Sequence, residues 1–249
     1  MANQQKELGM AKKIYVGTSG YQYKHWKGDF YPKELPVSGW FEHYLKYFNT
    51  VEINNTFYKM AEAETFAEWE KAAPQDFCYA IKYSKFGTHR KKLKDPEGHV
   101  NYFMDRVVHL KEKLGVVLVQ LPPNWKQNLQ RLEAFLKVLP KHLRWAIEIR
   151  DERWLSEDLY ELLKKYDAAL VIHDMIPQHP RVLTSNWTYL RFHGQNYSGS
   201  YSEEELDAIA NDIKDHVAHG RDVYAYFNND LGGHAIRNAL NLKEKLSLQ

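Results

Sequence analysis

Eight short runs rich in β-branched and aromatic residues recur along the chain, most of them separated by segments with helical period. They are KIYVGTSG (13–20), TVEINNTF (50–57), FCYAIKYS (77–84), GVVLVQLP (115–122), RWAIEIRD (144–151), AALVIHD (168–174), TYLRFHG (188–194) and DVYAYFNN (222–229). Strand alternating with helix implies parallel strands joined by right-handed crossovers. Eight such units in 249 residues predict an α/β fold, a single (β/α)8 barrel of TIM type, with an open doubly wound sheet as the alternative. One unit is irregular. Pro177 and Pro180 fall between Asp174 and Trp187 and leave little room for a helix, so helix six is expected to be short or missing.

The helical segments carry their own boundaries. Trp40, Tyr44, Tyr47 and Phe48 share one side of 39–48, and Leu129, Leu132, Phe135, Leu136 and Leu139 line up before Pro140. Ser156 is a plausible N-cap, and Ser202 with Glu205 has capping-box spacing ahead of a helix closed by Gly220. No linker or low-complexity stretch divides the chain, so one domain is expected over 13–249, with 1–12 as a loose extension.

A chain of this size can bury roughly three-quarters of its unfolded surface, so its core needs no staples. The lone Cys78 excludes an intrachain disulfide and, inside an apolar run, reads as a small core residue. The first residues have no apolar stretch after their charges, and no 18-residue apolar run occurs. The expectation is a cytoplasmic protein with no membrane partner. A net charge of +2 does not argue for nucleic acid globally. Locally, Lys82, Lys85, Arg90, Lys91, Lys92 and Lys94 precede any acid, which makes 82–94 a candidate anion-facing loop.

In RWAIEIRD, Trp145, Ile147 and Ile149 alternate with Ala146, Glu148 and Arg150, so a carboxylate and a guanidinium share one strand face. The same two-residue spacing recurs at other strand ends: Glu52-x-Asn54 and Arg191-x-His193, with Lys82, Gln120, His173, Asp174, Asn228 and Asn229 at the remaining ends. In a barrel these positions converge on the C-terminal mouth, where active sites lie. Glu148 and Arg150 are therefore expected to point into that mouth, with Val51/Ile53, Ile147/Ile149 and Leu190/Phe192 facing the helices.

Two loops add to the mouth. Gly232-Gly233 opens an apparent helix after the last strand, and Gly194 lies in the preceding loop, so these three glycines are candidate phosphate contacts at a helix N-terminus. The long first loop carries Tyr21, Tyr23, Trp26, Phe30 and Tyr31, which suit either stacking on a sugar or base or packing of the loop itself.

The segments VGTSGYQYKHWKGDFYP, FNTVEINNTFY, QLPP, AIEIRDERW, LRFHG and YAYFNNDLGGHAIRNA resemble, in order, the motif series of the YecE-like family, domain of unknown function 72. The resemblance runs from about Ile14 to Ala239 and implies a TIM barrel, but no reaction. The matched positions include Gly17, Ser19, Phe57, Tyr58, Thr88, His89, Trp154 and Asn238, beside the strand-end residues above.

Three functions fit these residues. The first is a metal-independent acid/base enzyme acting on an anionic, phosphorylated sugar-like or nucleotide-like molecule. Its catalytic residues would be Glu148, His193, Asp174 and Lys82, with Glu148 and His193 as acid–base groups. Glu52, Asn54, Arg150, Arg191, Gln120, Asn228, Tyr21, Trp26 and His89 would bind substrate. The second is a metal-dependent phosphodiesterase or isomerase of the endonuclease or sugar-isomerase type. It is disfavoured because Lys82, Arg150 and Arg191 balance Glu52, Glu148 and Asp174. The third is a non-catalytic nucleic-acid-binding barrel that uses the basic segment and the aromatic first loop. No cofactor is expected: no G-x-G-x-x-G follows a strand.

Overall fold

The structure is a computed structural model that describes residues 12–194, 197 and 199–248. Apart from Lys12, the expected amino-terminal extension lies outside the described residues. In chain order the elements are β1 (Ile14–Thr18), α1 (Trp40–Tyr44), β2 (Thr50–Ile53), α2 (Asn55–Tyr58), α3 (Ala63–Ala72), β3 (Cys78–Lys82), α4 (Pro96–Val107), β4 (Leu114–Gln120) and α5 (Leu129–Val138). They continue with β5 (Arg144–Glu148), α6 (Glu157–Lys165), β6 (Ala169–Leu170), β7 (Ile172–His173), β8 (Trp187–Phe192), α7 (Glu203–Ala218), β9 (Asp222–Phe227) and α8 (His234–Lys245).

All the strands pair in parallel, as the strand–helix alternation predicts, but they form two sheets rather than one. One has the order β1-β9-β8-β7 and the other β2-β3-β4-β5-β6. The sixth predicted strand is shared between them. Its first half pairs with β5 and its second half with β8, and the Val171 N–H between them reaches Ile147 O at 3.0 Å. At the opposite seam Ser19 bridges to Glu52, and the Gly20 N–H donates to Glu52 O at 2.7 Å. Gly17 permits that approach: a Cβ there would lie 2.6 Å from Thr50 O.

The two sheets face each other across an apolar cluster with complementary sizes. Trp187, Tyr189, Tyr224 and Tyr226 of the first sheet meet Cys78, Ala80 and Ala146 of the second. The fit is tight enough that a Cβ on Gly115 would sit 2.2 Å from the Cys78 sulfur. The opposite strand faces, with Val51, Ile53, Ile147, Ile149 and Leu190, belong to the larger cluster built with the helices.

Local signals set the helix boundaries. The Asn128, Ser156 and Ser202 side chains each accept from a backbone N–H three residues on, and Glu205 completes the capping box of α7. The segment expected to be helical over 39–48 keeps only α1, although Phe48 stays buried beyond it. Residues 174–186 hold no helix, consistent with Pro177 and Pro180.

Candidate active site at the strand ends

At the strand ends Arg191, fully buried, is gripped from both sides. Its Nη2 and Nε donate to the two oxygens of Glu52 at 2.7 and 2.9 Å, and its Nη1 donates to Glu148 Oε2. Ser19 Oγ and Tyr189 OH, the latter at 2.7 Å, donate to the same Glu52 carboxylate. Glu148 uses its other oxygen on Arg150 Nε. Burial pushes both carboxyl groups up, but the guanidinium charges outweigh it, holding Glu52 below and Glu148 well below the ordinary range. Both are permanent carboxylates at neutral pH. The proton-exchange role expected of Glu148 conflicts with that direction, because its lone pairs are committed to two arginines. Arg191 likewise has no donors to spare for a substrate anion.

Behind this knot lies an Asp–His pair. His193 Nδ1 is 3.0 Å from Asp174 Oδ1, while Arg150 Nη2 and Arg191 Nη1 approach His193 Nε2 at 3.0 and 3.3 Å. Only the tautomer with hydrogen on Nδ1 satisfies all three contacts. Burial lowers the His193 affinity for a proton, and Arg191 reinforces this against the Asp174 hydrogen bond. Asp174 also accepts from the backbone N–H groups of His193 (3.0 Å) and Gly194 (3.1 Å), and from Tyr201 OH. Although burial opposes it, these bonds hold the Asp174 carboxyl down at about 2. The Gly194 N–H, expected to meet phosphate, is thus already donated. His173 is locked too, with Nε2 2.7 Å from Ile149 O and Nδ1 accepting from Met175 N–H at 3.1 Å.

Lys82 differs from all of these. Its side chain is nearly buried, and its Nζ lies 4.6 Å from the Phe57 ring centroid. Among the described residues its ammonium has neither an ion-pair partner nor a hydrogen bond. Burial and then the Arg191 charge bring it down to about 8. His89 packs edge-on against the same Phe57 ring at 5.0 Å and accepts from or donates to Thr88 Oγ1 at 2.9 Å. Burial followed by the Lys82 charge keeps His89 neutral, at about 4. Gln120, Pro123, Arg150, Met175, Ile176 and Tyr197 line a cavity of about 300 Å³. Arg150 Nη1 meets Tyr197 OH there at 3.2 Å.

Other expected residues lie elsewhere. Trp26 is fully buried, with its indole N–H on Asp230 O at 3.1 Å, and Tyr31 OH ties down Tyr21 O at 2.6 Å. The stacking role expected for Trp26 is therefore corrected: its ring is covered, and with buried Tyr21 it holds the first loop down. Asn54 turns away from the Glu52 face into helical backbone and lines a separate cavity with Tyr21, Tyr23 and Trp69. Asn228 is half-buried, with its N–H on Phe192 O at 2.7 Å. At Gly232-Gly233 both residues adopt left-handed backbone, but the Gly233 and Ala235 N–H groups already donate to Asp230 O and Asn229 O, each at 3.0 Å. Asp29 and Arg237 flank that turn as an ion pair at 4.0 Å.

The site also uses residues that strand-end reading passed over. Tyr189 sits two positions before Arg191, on the same strand face, and its hydroxyl was discoverable from that spacing. Tyr201 adjoins the capping box at Ser202, which fixes the loop that delivers it to Asp174. Among the described residues no group of three or more His, Cys, Asp or Glu side chains is arranged to hold a metal.

These features define an α/β protein of parallel strands whose polar ends gather one buried ion network. Residues 15–249 match the family model described as "Protein of unknown function DUF72", and the chain belongs to that family. It is 24% identical over 278 residues to the UPF0759 protein YunF of Bacillus subtilis, covering 95% of each chain. It is 26% identical over 145 residues to the UPF0759 protein YecE of Escherichia coli K12, spanning 58% of this chain and 51% of that protein. A solved DUF72 family protein from Thermotoga maritima superposes with a TM-score of 0.86 at 30% identity, over 94% of this chain and 99% of that one. The structure of SacUVDE superposes with a TM-score of 0.61 at 10% identity, over 95% and 98%, a likeness of fold alone. No helix among the described residues is long and apolar enough to cross a membrane.

Proposed function

We propose that the two sheets close into a single (β/α)8 barrel forming one domain over 13–249, and that its mouth is a metal-independent acid–base site for a small anionic, phosphorylated substrate. Contacts at both seams support closure: the Ser19–Glu52 bridge on one side and the strand shared through Val171 on the other. The observation that carries the functional reading is Lys82, a nearly buried cation with no contacting counter-ion among the described residues, beside an ordered charge network. An unpaired buried charge is costly, and proteins retain one where a ligand or a reaction uses it.

Lys82 is the proton carrier in this reading, because a lysine at about 8 exchanges its proton near neutral pH. Arg150 holds the substrate's anionic group with the donors that face Tyr197 and the Gln120 cavity. Glu148 and His193 fix Arg150, and Asp174 fixes the His193 tautomer, so these three are positioning groups. A metal-dependent alternative would need carboxylates free to coordinate, whereas Glu52 and Glu148 are both engaged by Arg191. Stoichiometric zinc, manganese or magnesium in protein purified without chelator would overturn this part.

The test is lysine titration followed by NMR after reductive ¹³C-methylation, with Lys82→Met assigning the signal. One resonance is expected to titrate well below the other lysines, and to move upward when ribose 5-phosphate or inorganic phosphate is added. Arg150→Gln should abolish the response to phosphate. A Lys82 signal that titrates with the surface lysines and ignores both anions would defeat the proposal.

A further inference from the structure

Next to the mouth, but outside it, α2, the π-helical turn Phe86–Arg90 and α4 enclose a second cavity of about 530 Å³. Single exposed rings are ordinary but a cluster of them marks an interaction site, and Tyr58 at 77% exposure, Tyr102 at 49% and Phe86 at 48% all line this cleft. Each has a cation near its face: Lys85 Nζ at 6.0 Å from Tyr58, Lys91 Nζ at 5.8 Å from Phe86 and the Arg106 guanidinium at 3.6 Å from Tyr102.

Lys91 lines the cleft and Lys85 faces its Tyr58, and the segment that carries both is rich in unbalanced positive charge. Lys85, Arg90, Lys91, Lys92 and Lys94 form no ion pair among the described residues, while Arg106 pairs with Glu62 at 3.4 Å. Asp95 is the acid on the cleft wall. The backbone here is also held in costly conformations. Lys92, Leu93 and Asp95 all have left-handed φ, with the buried Leu93 side chain as the anchor. Strain of this kind clusters where a segment has been shaped for binding.

We propose that this cleft binds single-stranded nucleic acid, stacking an unpaired base among Tyr58, Phe86 and Tyr102 while phosphates run along Lys85, Arg90, Lys91, Lys92 and Lys94. Rings and cations together select this partner. An uncharged protein or lipid surface would use the rings but leave the cations without counter-charge, and a simple polyanion would use the cations but not the rings. A duplex hides the faces of its bases, so an unpaired strand is the form that fits. The cleft needs neither Lys82 nor Arg150, so this inference stands apart from the chemistry proposed for the mouth.

The test is fluorescence anisotropy with a labelled oligothymidylate of roughly twelve nucleotides, against the duplex of equal length and against inorganic polyphosphate as competitor. The full chain should bind the single strand more tightly than the duplex, with affinity falling steeply above about 50 mM salt. Tyr58→Ala and Phe86→Ala should each weaken binding roughly 5- to 150-fold, the factor equivalent to one stacked base. Lys91→Gln with Lys92→Gln should flatten the logarithmic salt dependence by about 0.7 for each phosphate that is no longer neutralised. Lys82→Met should leave binding intact. The exposed Tyr58 keeps one ring variant informative even if Phe86→Ala unfolds. No binding at low salt, equal binding of duplex or polyphosphate, or indifference to Tyr58→Ala would each overturn the proposal.

Discussion

Arg191 and Lys82 both stand near the C-terminal ends of their strands, β8 and β3, yet their surroundings are opposite. Arg191 is fully buried and saturated by Glu52 and Glu148. Lys82, nearly as buried, has no ion-pair partner among the described residues, and the loop beyond it adds Lys85, Arg90, Lys91, Lys92 and Lys94, also unpaired among them. The Arg191 group therefore commits its charge to holding the strand ends together. The Lys82 group holds its charge in reserve. The contrast separates residues whose loss should damage the fold from residues whose loss should spare or even stabilise it.

The largest effect is expected from Arg191→Met. It strands the buried Glu52 carboxylate outright and leaves Glu148 with Arg150 alone, and removing one partner of a buried ion pair costs about 3–5 kcal/mol, a large share of a domain's total stability. Urea denaturation should show at least that loss. Adding Glu52→Gln should recover part of it, because Glu148 keeps Arg150 as its counter-ion and the Gln oxygen still accepts from one of the two hydroxyls, Ser19 or Tyr189. A loss under about 1 kcal/mol would mean that water reaches the network and that the contrast with Lys82 is false.

Lys82→Met should move stability in the opposite direction. Below about pH 8 Lys82 is charged in both the folded and unfolded chain, and the folded state bears the full burial penalty. Between about 8 and the ordinary 10.5 the folded chain has released the proton and the unfolded chain has not, so wild-type stability gains with rising pH. Above 10.5 both forms are neutral. Relative to wild type, Lys82→Met should be more stable at pH 7 by about 3 kcal/mol, with the gap closing across that window. Thermal melts of the two proteins at matched pH decide it. A destabilised Lys82→Met protein would show that the ammonium has a partner and is structural.

The sequence made part of this legible. Parallel strands, the missing helix and the Ser156 and Ser202 caps all depend on local periodicity and spacing, which a linear reading captures. The shared face of Glu148 and Arg150 follows from the two-residue repeat of a strand, and the two are indeed in contact. What could not be read is which charge meets which. Arg191 joins carboxylates 139 and 43 residues away in sequence, and that pairing turns Glu148 from a proton donor into a fixed counter-ion. The first loop's rings suited either stacking or packing, and burial of Trp26 and Tyr31 agrees with packing, whereas Tyr58, Phe86 and Tyr102 had no linear feature marking their exposure.

The smallest effect tests the reserve of charge itself. Lys91 and Lys94 are exposed and make no ion pair among the described residues, so neutralising them removes repulsion at the cost only of the weak Lys91 contact with the exposed Phe86 ring. Lys91→Gln with Lys94→Gln should raise stability by a few tenths of a kcal/mol at about 0.01 M salt, where the screening length is roughly 30 Å. The gain should fade toward physiological ionic strength, as that length falls to about 8 Å. Asp95 makes the sign informative, since it is the nearest acid in the chain. If Asp95 neutralises these lysines in solution, the substitutions lose stability instead, the surplus disappears, and with it the reason to expect a polyanion at this edge of the rim.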